Sequence, residues 1–356
     1  MENRKYKILK QSILDKIREE NVQPETPVSS EAELALQYGF SRNTIRQALK
    51  ELELEGYLYR VKGKGTFIRS GTGLCSRKIA LFLRQVSDMI HPVTAEMIHG
   101  LNTELEKNGY FLDILTGARD FYSENLAKLS AQYAGFILAS RIQDPRTLAE
   151  LHKLSIPHLA VKNYDPSSGI LAVRLDFEQS GRMIAEHLID RGCKSFGLLC
   201  PGESLQIAAE FRKGVSETAL EAGVRMKRVY QQATEGYSEE EARILAEKLV
   251  VSDDLPDGLI CASDEQALAV LEVFRDHKIR VPDDILLTGC NDLVFTRLMS
   301  PSLTTIHFPF EECGREAGEK ILAMIHGENP ESVLLQPELI VRESTEPHSQ
   351  EKEKTK

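Results

Sequence analysis

The sequence predicts an α/β protein in two parts: a small α+β head of three helices and a hairpin, then a larger body of two doubly wound halves. Three observations carry this. Within residues 1–70 the hydrophobic period is helical three times and then switches to alternation across a glycine-rich turn. Beyond Ser70-Gly71-Thr72-Gly73, short apolar runs alternate with amphipathic stretches. Charge divides at the same place, with 13 Lys+Arg against 10 Asp+Glu in residues 1–70 and 31 against 44 in the remainder, for a net charge of −10.

The 356 residues suffice for two or three units at roughly 150 residues per domain. With 42% hydrophobic and 28% charged residues the composition is that of a globular protein, and no apolar run reaches bilayer length. The first twenty residues, MENRKYKILKQSILDKIREE, are charged and helical in period and lack the apolar core of a secretory signal. The expectation is a cytoplasmic protein without membrane contact. Cys75, Cys193, Cys200, Cys261, Cys290 and Cys313 lie far apart with no CxxC or Cys/His spacing, so reduced structural thiols are expected and neither a metal site nor a cofactor is.

Tyr6, Leu9, Ile13, Leu14 and Ile17 mark the apolar face of a first helix that stops before Asn21 and Pro24. Ser30-Glu31-Ala32-Glu33 is a capping box, in which hydroxyl and carboxylate satisfy each other's backbone N–H groups, so a second helix opens there. It is short, because Gly39 follows after about two turns and Ser41 caps a third helix. That third helix carries Ile45, Ala48, Leu49 and Leu52 on one face, while Arg42, Asn43, Arg46 and Gln47 project elsewhere near its start. Helix starts of this kind enter the major groove, where Arg pairs with guanine and Gln with adenine. After Gly56, Tyr57–Val61 and Thr66–Arg69 read as two strands joined by Lys62-Gly63-Lys64-Gly65, a turn that presents two cations without side-chain bulk. Residues 1–70 are thus a winged helix-turn-helix for DNA, and 71–77 a linker.

These residues resemble the GntR family of winged-helix regulators in Glu31 to Leu34, Ser41 to Leu49, Leu52, Gly56 and Gly63 to Phe67. The resemblance implies that Arg42, Thr44 and Arg46 contact bases or phosphates, that Lys62, Gly63 and Lys64 form the wing, and that Lys5 and Ser41 hold the DNA backbone. Many members carry Arg where this chain has Ala32, so its operator need not follow the commonest family consensus.

In the body, residues 78–345, strands are expected at Ile79–Leu83, Phe111–Leu115, Gly135–Ala139, His158–Val161, Phe196–Cys200, Gly258–Cys261 and Ile285–Gly289. Helices are expected at Val93–Asn108, Glu178–Arg191 and Glu265–His277. Strand and helix in alternation imply parallel sheets covered on both faces, whose ligands bind beyond the carboxyl ends of the strands. Those ends are polar: Arg84, Ser87 and Asp88; Ser140 and Arg141; Lys162 and Asn163; Ser263, Asp264 and Glu265; Asn291 and Asp292. Donors and acceptors in this mixture suit the hydroxyls of a sugar better than a fatty ligand.

The body resembles the LacI/GalR regulators, which share the periplasmic sugar-binding fold. The marks are Asp176 to Gly181, His187-Leu188 to Gly192, Phe211-Arg212-Lys213-Gly214, Ser263-Asp264 to Ala267, Val281 to Asp292, and Pro301 to Ile306. This implies an effector-binding and dimerisation body in which Arg212 clamps the effector, Asn291 or Asp292 accepts from hydroxyls and Ser263 lines the cleft. The family usually has Asn at 263 and Asp at 291. A GntR-like head on a LacI-like body is similar to the arabinose repressors of the AraR type, most closely at Val86 to Pro92.

The function expected is a transcriptional repressor of carbohydrate genes. It would hold a palindromic operator as a homodimer and let go when a small sugar effector binds. A regulator activated by its effector, or a co-repressor-dependent one with a non-sugar ligand, is the alternative. An enzyme is opposed by the lack of a GxGxxG after a strand, a Walker lysine or a metal spacing. Residues 346–356, rich in Glu and Lys, read as a disordered tail.

Overall fold

The computed structural model describes residues 25–54, 57–69, 76–117, 132–139, 156–162, 169–202, 205–226, 238–252 and 254–346, with shorter stretches and single positions within 8–16, 126–130 and 149–153. Lys5, Arg141, Asn163, most of the expected linker and the tail beyond Glu346 lie outside the described residues.

In the head, residues 8–10, 12–14 and 16 are helical and bury Leu9, Ile13 and Leu14 as their period requires. Helix α1 (Glu31–Tyr38) opens on the capping box: Ser30 Oγ accepts from Glu33 N at 3.3 Å and Glu33 Oε2 accepts from Ser30 N at 2.8 Å. Gly39 at φ +69° ends it, a left-handed turn that a side chain would strain. Helix α2 (Arg42–Leu54) buries Ile45, Ala48, Leu49 and Leu52 against Leu9, Ile13, Leu14, Leu34, Leu58 and Ile68. Strands β1 (Leu58–Val61) and β2 (Gly65–Ile68) pair antiparallel, with Lys62-Gly63-Lys64 as the turn and Gly63 at φ +77°. Gly65, read from sequence as part of the turn, pairs with Val61 and begins β2.

The chain divides into two compact units, Met1–Arg174 with Phe310–Val333, and Leu175–Pro309 with Leu334–Lys356. Beyond the head, the first unit holds β3 (Lys78–Leu83), the single turn α3 (Ser87–Ile90), α4 (Pro92–Lys107), β4 (Phe111–Thr116), β5 (Gly135–Leu138), β6 (His158–Lys162) and β7 (Ala172–Leu175). Strands β4, β3, β5, β6 and β7 run parallel in that order. Ala80, Phe82, Phe136, Leu138, Ala160 and Ala172 form one face of the sheet with Leu126, Tyr133 and Leu151. Alternation leaves Ile79, Leu81, Ile137 and Leu159 for the other, where α9, described below, packs on β5 and β6.

The second unit holds α5 (Phe177–Asp190), β8 (Ser195–Leu199), α6 (Gln206–Glu221), β9 (Arg225–Met226), α7 (Glu239–Val251), β10 (Gly258–Cys261), α8 (Asp264–Asp276), β11 (Leu286–Thr288) and β12 (Thr305–His307). Its parallel sheet has the order β11-β10-β8-β9. Leu199, Leu259, Cys261 and Leu287 cluster with α7 and α8 through Leu245, Leu249, Val270 and Phe274. The chain then returns to the first unit as α9 (Phe310–Ile325), passes through β13 (Val333–Leu335) beside β7, and ends in the second unit with β14 (Glu338–Ile340) antiparallel to β12.

Each unit contains a helix pair in backbone contact. A Cβ on Gly314 of α9 would lie 1.9 Å from Met97 O of α4, and one on Gly100 of α4 would lie 2.0 Å from Glu311 O. The same reciprocity joins Gly181 of α5 to Phe211 O and Gly214 of α6 to Glu178 O. Four glycines therefore hold two helix pairs at a separation that no other residue permits.

Candidate nucleic-acid interface and effector half-sites

Burial of the apolar side of α2 dictates what its other side presents: Ser41, Arg42, Asn43, Arg46 and Gln47 are exposed and Thr44 is half-buried. Ser41 caps the helix by accepting from Thr44 N at 3.3 Å, and the Ser41 and Thr44 hydroxyls meet at 2.9 Å. Arg42 and Asn43 thus extend from a first turn held by its own cap. Lys62, Gly63 and Lys64 are exposed at the hairpin tip, where Lys64 N donates to Val61 O at 3.0 Å.

Arg46 is held from the neighbouring helix. Its Nε donates to Glu31 Oε1 at 3.3 Å and its Nη2 to Oε2 at 2.8 Å, while Arg60 Nη2 of β1 stands 3.7 Å from the same carboxylate. The bond to Arg46, with the charges of Arg46, Arg60 and Arg42, holds the Glu31 carboxyl below its ordinary range. No periodic signal in the sequence marks this pair, because the partners lie on different helices.

The first unit gathers its candidates at the carboxyl ends of β3 and β6. Arg84 and Ser87 are exposed there and Asp88 is half-buried. Lys162 closes β6 at φ +69°, a conformation rare outside glycine. It donates to Thr94 Oγ1 at 2.9 Å with its Nζ 5.9 Å from the centre of the Phe310 ring. Desolvation lowers the Lys162 pKa, opposed by the charge of Asp88 among others. Thr94 and Phe310 were not singled out from sequence; each reads there as an ordinary helix residue.

In the second unit, Ser263, Asp264, Asn291 and Asp292 converge at the ends of β10 and β11. Ser263 caps α8 by accepting from Gln266 N at 3.2 Å. Asp264 has no exposed surface; its Oδ1 accepts from Thr305 Oγ1 at 2.6 Å and its Oδ2 from Leu293 N at 2.8 Å. Burial pushes its pKa up to about 7 against those two bonds, helped by the charges of Glu265 and Asp292. Both of its oxygens are thus engaged in fixing the loop that carries Asn291, at φ +113°, and Asp292, at φ +53°. Asp292 Oδ1 accepts from Arg342 Nη2 at 2.5 Å, and its Oδ2 lies 3.5 Å from His307 Nδ1.

Arg212, 7% exposed, hydrogen-bonds through Nη2 to the carbonyls of Cys200 and Pro201 at the end of β8. It therefore ties α6 to that strand end. Arg342, Thr305 and His307 belong to this half-site and were not found from sequence, since they arrive on β12 and on the segment after β14, far along the chain from β10 and β11.

Residues 5–68 match the bacterial regulatory proteins of the gntR family, and residues 185–345 match the periplasmic binding protein-like domain. An arabinose metabolism transcriptional repressor of Geobacillus stearothermophilus is 30% identical over 361 residues, covering 96% of this chain and 97% of that protein. The chain belongs to the AraR-type family of transcriptional repressors. A second such repressor, from Halalkalibacterium halodurans, is 31% identical over 98% of both chains. Among solved structures, a transcriptional regulator CelR-cellobiose complex superposes with a TM-score of 0.68 at 23% identity, over 85% of this chain and 90% of that one, a likeness of fold. This AraR-type repressor is thus a non-enzymatic regulator with a GntR head and a LacI-type body. Among the described residues no helix is long and apolar enough to cross a membrane.

Proposed function

We propose that this AraR-type repressor works in the cytoplasm as a homodimer that holds a palindromic operator and releases it when a small sugar or sugar derivative binds the body. In this reading Ser41, Arg42, Asn43, Thr44, Arg46 and Gln47 enter the major groove, Lys62, Gly63 and Lys64 follow the adjacent groove, and Lys5 holds a phosphate. The residues proposed to serve effector binding are Arg84, Ser87, Asp88, Arg141, Lys162, Arg212, Ser263, Asp264, Asn291 and Asp292. Asp264 contributes by fixing the Asn291–Asp292 loop. The working parts are a head of 1–70, a linker of 71–77, a body of 78–345 and a tail of 346–356.

The observation that carries this is the division of α2 into a buried apolar side and an exposed side bearing Arg42, Asn43, Arg46 and Gln47. A single head covers too little DNA for tight specific binding, which favours two heads on a two-fold site. The polar strand ends favour a hydroxyl-rich ligand. Both relatives are repressors of arabinose metabolism, which makes arabinose the first sugar to test.

The test combines selection of a randomised duplex library on the full-length protein with thermal-shift screening against pentoses, hexoses and their phosphates. A selected palindrome whose complex dissociates on adding a stabilising sugar is the expected result. A sugar that tightens the complex would reverse the direction of regulation.

A further inference from the structure

We propose that Glu31 is a positioning residue that reserves Arg46 for a base edge, guanine by its chemistry, and withholds it from the DNA backbone. The inference rests on the DNA-binding reading of the head and adds which of the exposed cations reads sequence.

A guanidinium has five N–H donors in a fixed plane. Glu31 takes two of them side-on, through Nε at 3.3 Å and Nη2 at 2.8 Å. Among the described residues Nη1 has no partner, so the end-on edge formed by Nη1 and the second N–H of Nη2 is open. That edge matches O6 and N7 of guanine, the commonest specific arginine contact. Holding the fork from the side removes the rotamer freedom that arginine otherwise loses on binding.

Glu31 also decides what Arg46 does not touch. Its carboxylate, bonded to Arg46 and 3.7 Å from Arg60, repels a phosphate brought up to the same guanidinium, whereas it leaves a neutral base edge unaffected. The carboxyl is held in its ionised form by these same neighbours. The pair carries no net charge and so releases no counterion. Arg42, at the start of the same helix and with Ser41 and Thr44 beside it, has no acid bonded to it among the described residues and is open to serve the backbone.

The measurement is the salt dependence and single-base preference of the full-length protein on the best duplex from a randomised library, for the wild type, Glu31→Gln, Glu31→Ala and Arg46→Ala. Glu31→Gln keeps the shape of the side chain, and thermal melting of each variant reports folding separately. Arg46→Ala should lose on the order of 10-fold in discrimination at one guanine, the span a good bidentate contact provides, with the salt slope unchanged. Glu31→Ala and Glu31→Gln should lose the same discrimination while the slope of log K against log salt steepens by about 0.9, as expected when the released Arg46 neutralises one phosphate. An unchanged base profile and slope in both Glu31 variants would overturn the proposal. So would a shallower slope with an intact base profile in Arg46→Ala, which would make Arg46 a phosphate ligand. Failure of the library to yield any duplex would instead remove the DNA-binding reading itself, and this proposal with it.

Discussion

Asp264 shows at the scale of one residue how burial changes a role. The carboxylate follows a strand end and reads in sequence as an acceptor for ligand hydroxyls, yet both oxygens are taken by Thr305 Oγ1 and Leu293 N. Its folded pKa of about 7 lies above the roughly 3.9 of an unfolded aspartate. Between those two values the folded state keeps a proton that the unfolded chain has lost, so this group makes stability fall as pH rises through the window and level off above about 7. Calorimetry from pH 4 to 8 should show that component of the slope vanish in Asp264→Asn. Below about pH 7 the melting temperature should change little, because the amide oxygen can accept from Leu293 N while its NH2 donates to Thr305 Oγ1. Arg212→Ala should abolish the thermal shift on adding effector while operator binding persists, because the head has its own core. Loss of operator binding instead would remove Arg212 from the effector site.

Elements depend on single atoms at their ends and crossings. The α1 capping box satisfies two backbone donors at once, so Ser30→Ala should cost about 1 kcal/mol, seen as an earlier melting of the head by circular dichroism on fragment 1–75 if that fragment folds alone, or by hydrogen exchange on the full chain. The α4–α9 and α5–α6 pairs are more sensitive, since a methyl at Gly314 would stand 1.9 Å from Met97 O and one at Gly214 2.0 Å from Glu178 O. Gly314→Ala and Gly214→Ala should each destabilise by at least about 1–3 kcal/mol, the usual range for overpacking. Denaturant midpoints compare them with Gly223→Ala, where no atom lies within 4 Å of the added carbon and only the φ of +68° resists.

At the scale of the whole molecule, the five thiols among the described residues are structural. Cys193, Cys200, Cys261, Cys290 and Cys313 are all buried, and desolvation pushes the Cys193 and Cys200 thiols up to about 12 and that of Cys313 to about 11. Thiolate is the reactive form, so iodoacetamide at pH 8 should leave all five unmodified in the native protein and label them in denaturant, as mass spectrometry of the peptides would show. Rapid native labelling of any one of them would mean that its sheet opens far more readily than its packing implies.

Local pattern alone determined the two-part organisation, the basic head, most strands of the body and its helices α4, α5 and α8, because each of these elements repeats one short-range period. Ser30, Gly39 and Ser41 mark helix ends by chemistry that needs no distant partner, and the expected Gly258–Cys261 strand has the observed bounds. Only tertiary structure could decide which residues share a site. The return of α9 to the first unit brings Phe310 to Lys162, β12 brings Thr305 to Asp264, the segment after β14 brings Arg342 to Asp292, and the packing of α1 on α2 brings Glu31 to Arg46. The physical reason is common to all four: a hydrogen bond or ion pair forms over a few ångströms of space, while the intervening chain can be of any length.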